Sequence, residues 1–461
     1  MNRRTFLRSS SLGFGMLGLQ SLARAGRVPM THHAPRAKNV ILVYLSGGLS
    51  QVDSFDPKPM LDKMAGKPMP IPVKGTMFDN VGTIMPSPWE FKPRGQSGLP
   101  VSELFPHIAT MADDLCVVRS MTSKASEHAQ GNFFFHSGFS FQGHPSAGSW
   151  MSYGLGSEAT NLPAYVVLRS GGATDPIGGA SMYGNGFLPA QHQASFLKVD
   201  GDPPLPNLKP GESAAKQRAK IAAMAKLDRR FNDSLGGFDP VEAAIQHYET
   251  AFRMQASVPE ACDLRGETEL TKRLYGLEHT NETTRLFGQQ CLVARRLVER
   301  GVRFVELSCL QSSGKFAPPI NPWDQHANLE KGHADMAQQV DQPVAALLKD
   351  LKGRGLLEET IVIFSGEFGR TSFAQGSNGR DHDPYGFSLW VAGGGFKGGH
   401  IHGTTDDFGY QVVQDEVNVY SLWATIQHQL GLEHENVTYH FAGRDYRLSD
   451  VEGHVVKDLI S

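Results

Sequence analysis

The run Asn39-Val-Ile-Leu-Val-Tyr-Leu-Ser46, closed at once by Gly47-Gly48, points to the fold class of this chain. A run that is apolar without alternation and ends on turn residues reads as a strand buried on both faces, as in a parallel sheet. Leu115 to Met121 and Pro163 to Leu168 read the same way, and so do Val302 to Leu307, Thr360 to Phe364 and Phe387 to Val391. Helical patterns stand between them. They cover 128–136 (closed by Gly138), 212–235, 240–257, 281–300 (closed by Gly301) and a stretch ending near Gly355, with Leu286, Leu292, Val293 and Leu297 at helical spacing in the fourth. Strands alternating with helices, joined by right-handed crossovers, predict an α/β fold with an open, mostly parallel sheet between helices. No linker or internal repeat divides it.

In such sheets ligands bind beyond the carboxyl ends of the strands. That rule picks out four polar clusters: the loop carrying Asp53, the turn Ser123-Lys124-Ala-Ser126-Glu-His128, Gly366-Glu367-Phe-Gly-Arg370, and Gly379-Arg380-Asp381-His382-Asp383. Between them in sequence lies Trp323-Asp324-Gln-His326, with His333 further on. Carboxylates and neutral imidazoles are the donors that Zn, Mn or Ca sites use, and crowded carboxylates need a cation. Taken singly, Asp53 reads as a helix cap and His326 as a surface histidine; taken together, the clusters predict a divalent metal site of one or two ions. Lys124, Arg370 and Arg380 would offset charge on a bound anion, with a solvated loop as the alternative for the two arginines, and the helix starting near Glu127 would aim N–H groups at it. Ser126 reads as the cap of that helix. Trp150, Tyr153, Tyr183, His192 and Tyr385 are read either as stacking surfaces for sugar rings or as core.

Composition excludes other classes. Lys plus Arg number 44 against 47 Asp plus Glu, a formal charge of -3, which gives no support to nucleic-acid binding. Cys116, Cys262, Cys291 and Cys309 have no paired spacing, so neither a thiolate metal knuckle nor a redox pair is written here. Residues 1–25 carry Arg3-Arg4, a weakly apolar run and Ala23-Arg24-Ala25, the pattern of a twin-arginine export signal cleaved after Ala25. The expectation is a periplasmic or secreted protein that meets the twin-arginine export machinery, with no stable membrane insertion; the run is shorter than a spanning helix needs.

From Ala37 onward the chain resembles the DUF1501 family of exported bacterial proteins. The motifs are SGGLSQVDSFDPKP (46–59), WDQH (323–326), ETIVIFSGEFGRT (359–371), GRDHD (379–383), AGGGFKGG (392–399) and FAGRDYRLSDV (441–451). The resemblance implies an alkaline-phosphatase-like fold, a three-layer α/β/α sandwich over 26–461, and a metal-dependent ester hydrolase. By position, the superfamily's metal ligands and nucleophile fall on Asp53, the 123–128 turn, Asp324 with His326, Glu367 and His382. Three departures bear on chemistry. Asp324 and His326 are spaced by one intervening residue rather than three, which brings in His333 as an alternative partner. Phe368 stands where the pattern has His or Asn, and Glu367 replaces Asp. With FFHSG (134–138) aligned to the sulfatase helix ending, His128 falls at the formylglycine-forming cysteine, and no C-x-P-x-R motif is present. The expected nucleophile is therefore His128, with Ser126 as the alternative. The expected activity is hydrolysis of sulfate esters of glycans or small molecules. Phosphomonoester or phosphodiester hydrolysis, and a non-catalytic exported binding or scaffold protein, are the alternatives.

Overall fold

The computed structural model describes residues 31–75, 80–172, 175–205, 212–234, 254–255, 257–310 and 321–461. The export signal at 1–25, and nearly all of the helix expected at 240–257, lie outside the described residues. The strands of the central sheet are β1 (Asn39–Tyr44), β2 (Leu115–Thr122), β3 (Tyr165–Arg169), β4 (Ser195–Lys198), β5 (Phe304–Ser308) and β6 (Thr360–Ser365). A two-stranded hairpin follows, β7 (Gly369–Gln375) with β8 (Gly379–Asp383). The chain then re-enters the sheet as β9 (Phe387–Ala392), β10 (His400–His402) and β11 (Val417–Asn418). The order across the sheet is β10-β2-β9-β6-β1-β5-β3-β4, with β11 on the end of β2. Every pairing is parallel except those of β9, which runs against both β2 and β6. The hairpin explains that exception: it carries the chain across the carboxyl edge, so β9 enters from that edge and must run back.

Alternation along the buried strands assigns each side chain to one face. Val40, Leu42 and Tyr44 face one core with Trp150, Leu422 and Trp423, whereas Ile41 and Val43 face the other with Cys291, Val340 and Leu347. Helices therefore cover both faces and give the expected α/β/α sandwich. On one side lie α1 (His128–Ser137), α2 (Ala147–Leu155) and α6 (Val419–Gln429); on the other, α4 (Glu282–Val298) and α5 (Leu329–Gly353). The remaining described long helix, α3 (Ala214–Ser234), is largely exposed. Asn281 caps α4 by accepting from Thr284 N–H at 3.1 Å, and Arg295 and Arg296 sit in its last turn against the helix dipole. Leu42 and Leu347 are fully buried, and truncating either to alanine would cost about 2–5 kcal/mol.

Among the described residues no helix is long and apolar enough to cross a membrane. All four cysteines are free thiols, and burial pushes the Cys116 and Cys309 thiols up to about 12.

Candidate metal centre

At the carboxyl edge, the loop that leaves β1 carries Gly47 and Gly48, both at positive φ (112° and 86°). A Cβ on Gly47 would sit 2.5 Å from the Asp324 nitrogen, so glycine is what lets the Trp323-Asp324 segment close over the sheet. The segment is held there by Trp323 N–H donating to the Ser46 carbonyl at 3.0 Å, and Trp323 itself is fully buried. On the opposite side, α1 opens at His128. Its cap is Glu127, whose carboxylate accepts from Gln130 N–H at 3.0 Å, and not Ser126 as the sequence suggested. Glutamate takes the role because Ser126 lies one residue too early; its carbonyl accepts from His382 instead.

Four side chains meet between these elements: among the described residues, donor atoms of His128, Asp324, His326 and His382 all lie within 4.8 Å of one another. Each imidazole has Nδ1 turned to an acceptor. His128 Nδ1 faces Glu367 Oε1 at 2.8 Å, His382 Nδ1 faces the Ser126 carbonyl at 2.6 Å, and His326 Nδ1 faces Gln375 Oε1. That pins the Nδ1–H tautomer and leaves Nε2 as the atom each ring presents to Asp324, at 3.1, 3.4 and 2.9 Å respectively. His128 Nε2 is buried without the alignment of a hydrogen bond. Nε2 of His326 and of His382 meeting at Asp324 Oδ1 fit a cation between them, so the donor set suits a divalent metal.

The surrounding charges shape this site. Arg370, fully buried, donates from Nη2 to Asp324 Oδ1 at 2.6 Å. Burial works against the charge on Asp324, but Arg370 and the three histidines outweigh it and hold the carboxyl far below the usual range. Burial likewise opposes charge on His128, yet Asp324 and Glu367 together raise it to about 9. His382 goes the other way: burial, reinforced by Arg370 and His128, pushes it down to about 3 despite Asp324. Glu367 is fixed by the Gly47 N–H at 2.9 Å and by the Tyr44 hydroxyl at 3.4 Å. Phe368 is buried against the same rings, its ring centroid 4.5 Å from that of His382 and 5.2 Å from that of His128, and walls the cluster on that side.

The structure does not bring all the expected residues into the cluster. Asp53 is spent on Arg380, whose Nε and Nη2 reach its two oxygens at 2.8 and 3.2 Å with both side chains fully buried. Arg380 also donates to the Thr371 and Met85 carbonyls at 3.0 Å each, so it is an internal strut and not a solvated loop charge. His333 accepts from Ser50 N–H at 3.1 Å, and burial lowers it to about 3. Glu367 touches the cluster only through His128. Lys124 points outward, paired with Glu452 and lying 4.8 Å from the Tyr420 ring. Trp150 and Tyr183 are core, each 1 % exposed.

Sequence reading missed Gln375 and Gly47. A paired glycine directly after a buried strand was the visible sign of the second; nothing marked the first, because the hairpin that brings Gln375 to His326 reads as polar loop.

No curated protein matches the chain in sequence. Solved structures that resemble it include the PsFucS1 sulfatase from Pseudoalteromonas sp., at 13% identity and TM-score 0.37 over 90% of this chain and 70% of that one. The phosphonate monoester hydrolase of Agrobacterium radiobacter resembles it at 13% identity and TM-score 0.38 over 87% and 74%. Alkaline phosphatase from the Antarctic bacterium TAB5 does so at 13% and 0.33 over 78% and 92%. Residues 37–460 match DUF1501, a family described as being of unknown function. The chain belongs to the DUF1501 family.

Proposed function

We propose that this protein is an exported, metal-dependent hydrolase of sulfate esters, with sulfated carbohydrates as the substrate class. The observation that carries the reading is the convergence of three Nε2 atoms on Asp324, each with its Nδ1 already engaged. Asp324, His326 and His382 would hold the ion, three protein ligands that leave positions open. The ion, when bound, would supply Lewis-acid polarisation of a sulfuryl or phosphoryl oxygen.

The chain's own residues supply the rest. Arg370, fully buried and donating to the Gly48 and Arg380 carbonyls as well as to Asp324 at 2.6 Å, keeps that carboxylate ionised and in place for the ion rather than reaching the ester. We assign His128 to proton transfer rather than covalent attack. With Nδ1 clamped by Glu367 and the ring raised to about 9, Nε2 holds a proton that it can give to the leaving alcohol, as a carboxylate-oriented imidazolium does. Phe368 keeps bulk water from that side of the rings. His326, with 27% of its side chain exposed, marks the side from which an ester could enter.

Sulfate is preferred over phosphate on charge. A sulfate monoester carries one negative charge and a phosphate monoester close to two. The carboxylates a second ion would need, Asp53 and Glu367, are occupied by Arg380 and by Gly47 with His128. One cation suits the monoanion. The test is kcat/KM for matched sulfate and phosphate esters of one alcohol with Zn, Mn or Ca supplied, in the native chain and in Asp324→Asn. The expected result is metal-dependent turnover that favours sulfate and is lost in the variant. A roughly tenfold preference for phosphate, about 1.4 kcal/mol, would overturn the substrate assignment. Turnover that persists in Asp324→Asn would overturn the site.

A further inference from the structure

We infer that His400, His402 and Asp458 form a second divalent metal site, of the zinc type, that ties the C-terminal turn to the edge of the sheet. β10 lies at the end of the sheet order, pairing among the described residues with β2 alone, through His400 to Cys116 and His402 to Val118. Residues two apart on a strand project from the same face, so the His-x-His spacing puts both imidazoles side by side. The third donor comes from the short turn Lys457–Leu459. That turn is anchored by Leu459, which is fully buried and whose carbonyl accepts from Lys397 N–H at 2.9 Å. Asp458 is therefore delivered to the two histidines by a turn whose backbone is fixed at the neighbouring Leu459.

The geometry is that of a ligand set. His400 Nε2 lies 3.1 Å and His402 Nδ1 2.9 Å from the same oxygen, Asp458 Oδ2, and the three donor atoms all fall within 4.8 Å of one another. Tetrahedral zinc with bonds of about 2.05 Å needs ligand atoms about 3.3 Å apart, so small side-chain rotations suffice. Two imidazole nitrogens and one carboxylate oxygen, with no thiolate, select zinc and its transition-metal neighbours over calcium or magnesium. Asp458 has 59% of its side chain exposed while His402 is nearly buried, so water can complete the coordination on the open side. Lys397 Nζ sits 3.2 Å from the other oxygen, Oδ1. It leaves Oδ2 to the metal but competes electrostatically with it.

This site is separate from the one built on Asp324. His400 aligns with the start of β2, whereas the 123–128 turn follows its end, a strand length of about 20 Å away at ~3.3 Å per residue. Its test does not depend on any ester being hydrolysed. Full-length protein, stripped with chelator and checked for native circular dichroism, is titrated with Zn²⁺ alone by calorimetry and equilibrium dialysis. The native chain is expected to bind two equivalents. His402→Ala, and His400→Gln, which keeps a hydrogen-bonding side chain at the position, should each lose one, and Asp324→Asn should lose the other. Lys397→Met should tighten the second equivalent severalfold. If His402→Ala and His400→Gln both bind as much Zn²⁺ as the native chain, with the same affinities, the inference is wrong. An Asp324→Asn chain that still binds both equivalents contradicts only the proposed catalytic centre.

Discussion

Replacing Asp53 by asparagine separates a structural carboxylate from a metal ligand. Asp53 and Arg380 are both fully buried and joined by two short contacts, and Arg380 has only backbone carbonyls as its other partners. Asparagine keeps the shape and one acceptor but leaves the guanidinium charge uncompensated. Breaking a buried pair from one side costs about 3–5 kcal/mol, and the retained acceptor argues for the lower end. Large domains shift by roughly 2–4 °C per kcal/mol, so Tm of the metal-stripped protein should fall by roughly 6–12 °C. Replacing both partners, Asp53→Leu with Arg380→Met, should recover most of that loss, because no charge is then left buried alone. Thermal unfolding by circular dichroism reads the stability, and elemental analysis after reconstitution reads the metal. Metal content should match that of the native chain. An Asp53→Asn protein that melts normally but binds one ion fewer would refute the assignment and return Asp53 to the metal centre.

Three further outcomes follow from the geometry. His128→Ala should keep its metal and lose about 10²–10⁴-fold in kcat; loss of metal along with activity would make His128 a ligand instead. Lys124→Ala should leave kcat/KM within about twofold, since an exposed ion pair contributes little; a tenfold loss would bring Lys124 back to the anion site. His136 contacts Glu306 at 2.9 Å in the core, where burial lowers its pKa but Glu306 outweighs it and raises the group overall. A raised histidine contributes stability that is fully present below its unfolded value near 6.5 and is lost as pH rises through the folded one. Urea unfolding of the native chain should therefore show stability declining above about pH 6.5 relative to His136→Gln; parallel profiles would contradict this.

The sheet was legible because burial on both faces leaves a plain mark in sequence. NVILVY needs no partner to be recognised, and β2, β3, β5 and β6 follow the same rule. The direction of β9 was not legible, because its apolar run is the same whichever way it points. The hairpin from Gly369 to Asp383 was hidden by its composition: Arg370, Arg380, Asp381 and His382 look like solvent-facing residues and are buried. They are buried because they satisfy one another across the hairpin and the β1 loop, and the pairings with the β1 loop join residues more than 300 positions apart in sequence. For the same reason Asp53 read as a ligand, since only the fold reveals the arginine waiting for it. Asp324, His326 and His382 were identifiable as candidates from residue type and the carboxyl-edge rule. The shared orientation of His128, His326 and His382, with Nδ1 engaged and Nε2 inward, depends on Glu367, Gln375 and the Ser126 carbonyl, which no spacing encodes.

The most direct test of the central claim is anomalous diffraction at the zinc or manganese edge from crystals loaded with that metal. The account predicts a peak bonded to Asp324, His326 Nε2 and His382 Nε2 at about 2.0–2.2 Å, with Asp53 still paired to Arg380. Saturating metal with no peak among those three side chains, or a peak bonded to Asp53 and His333, would contradict it.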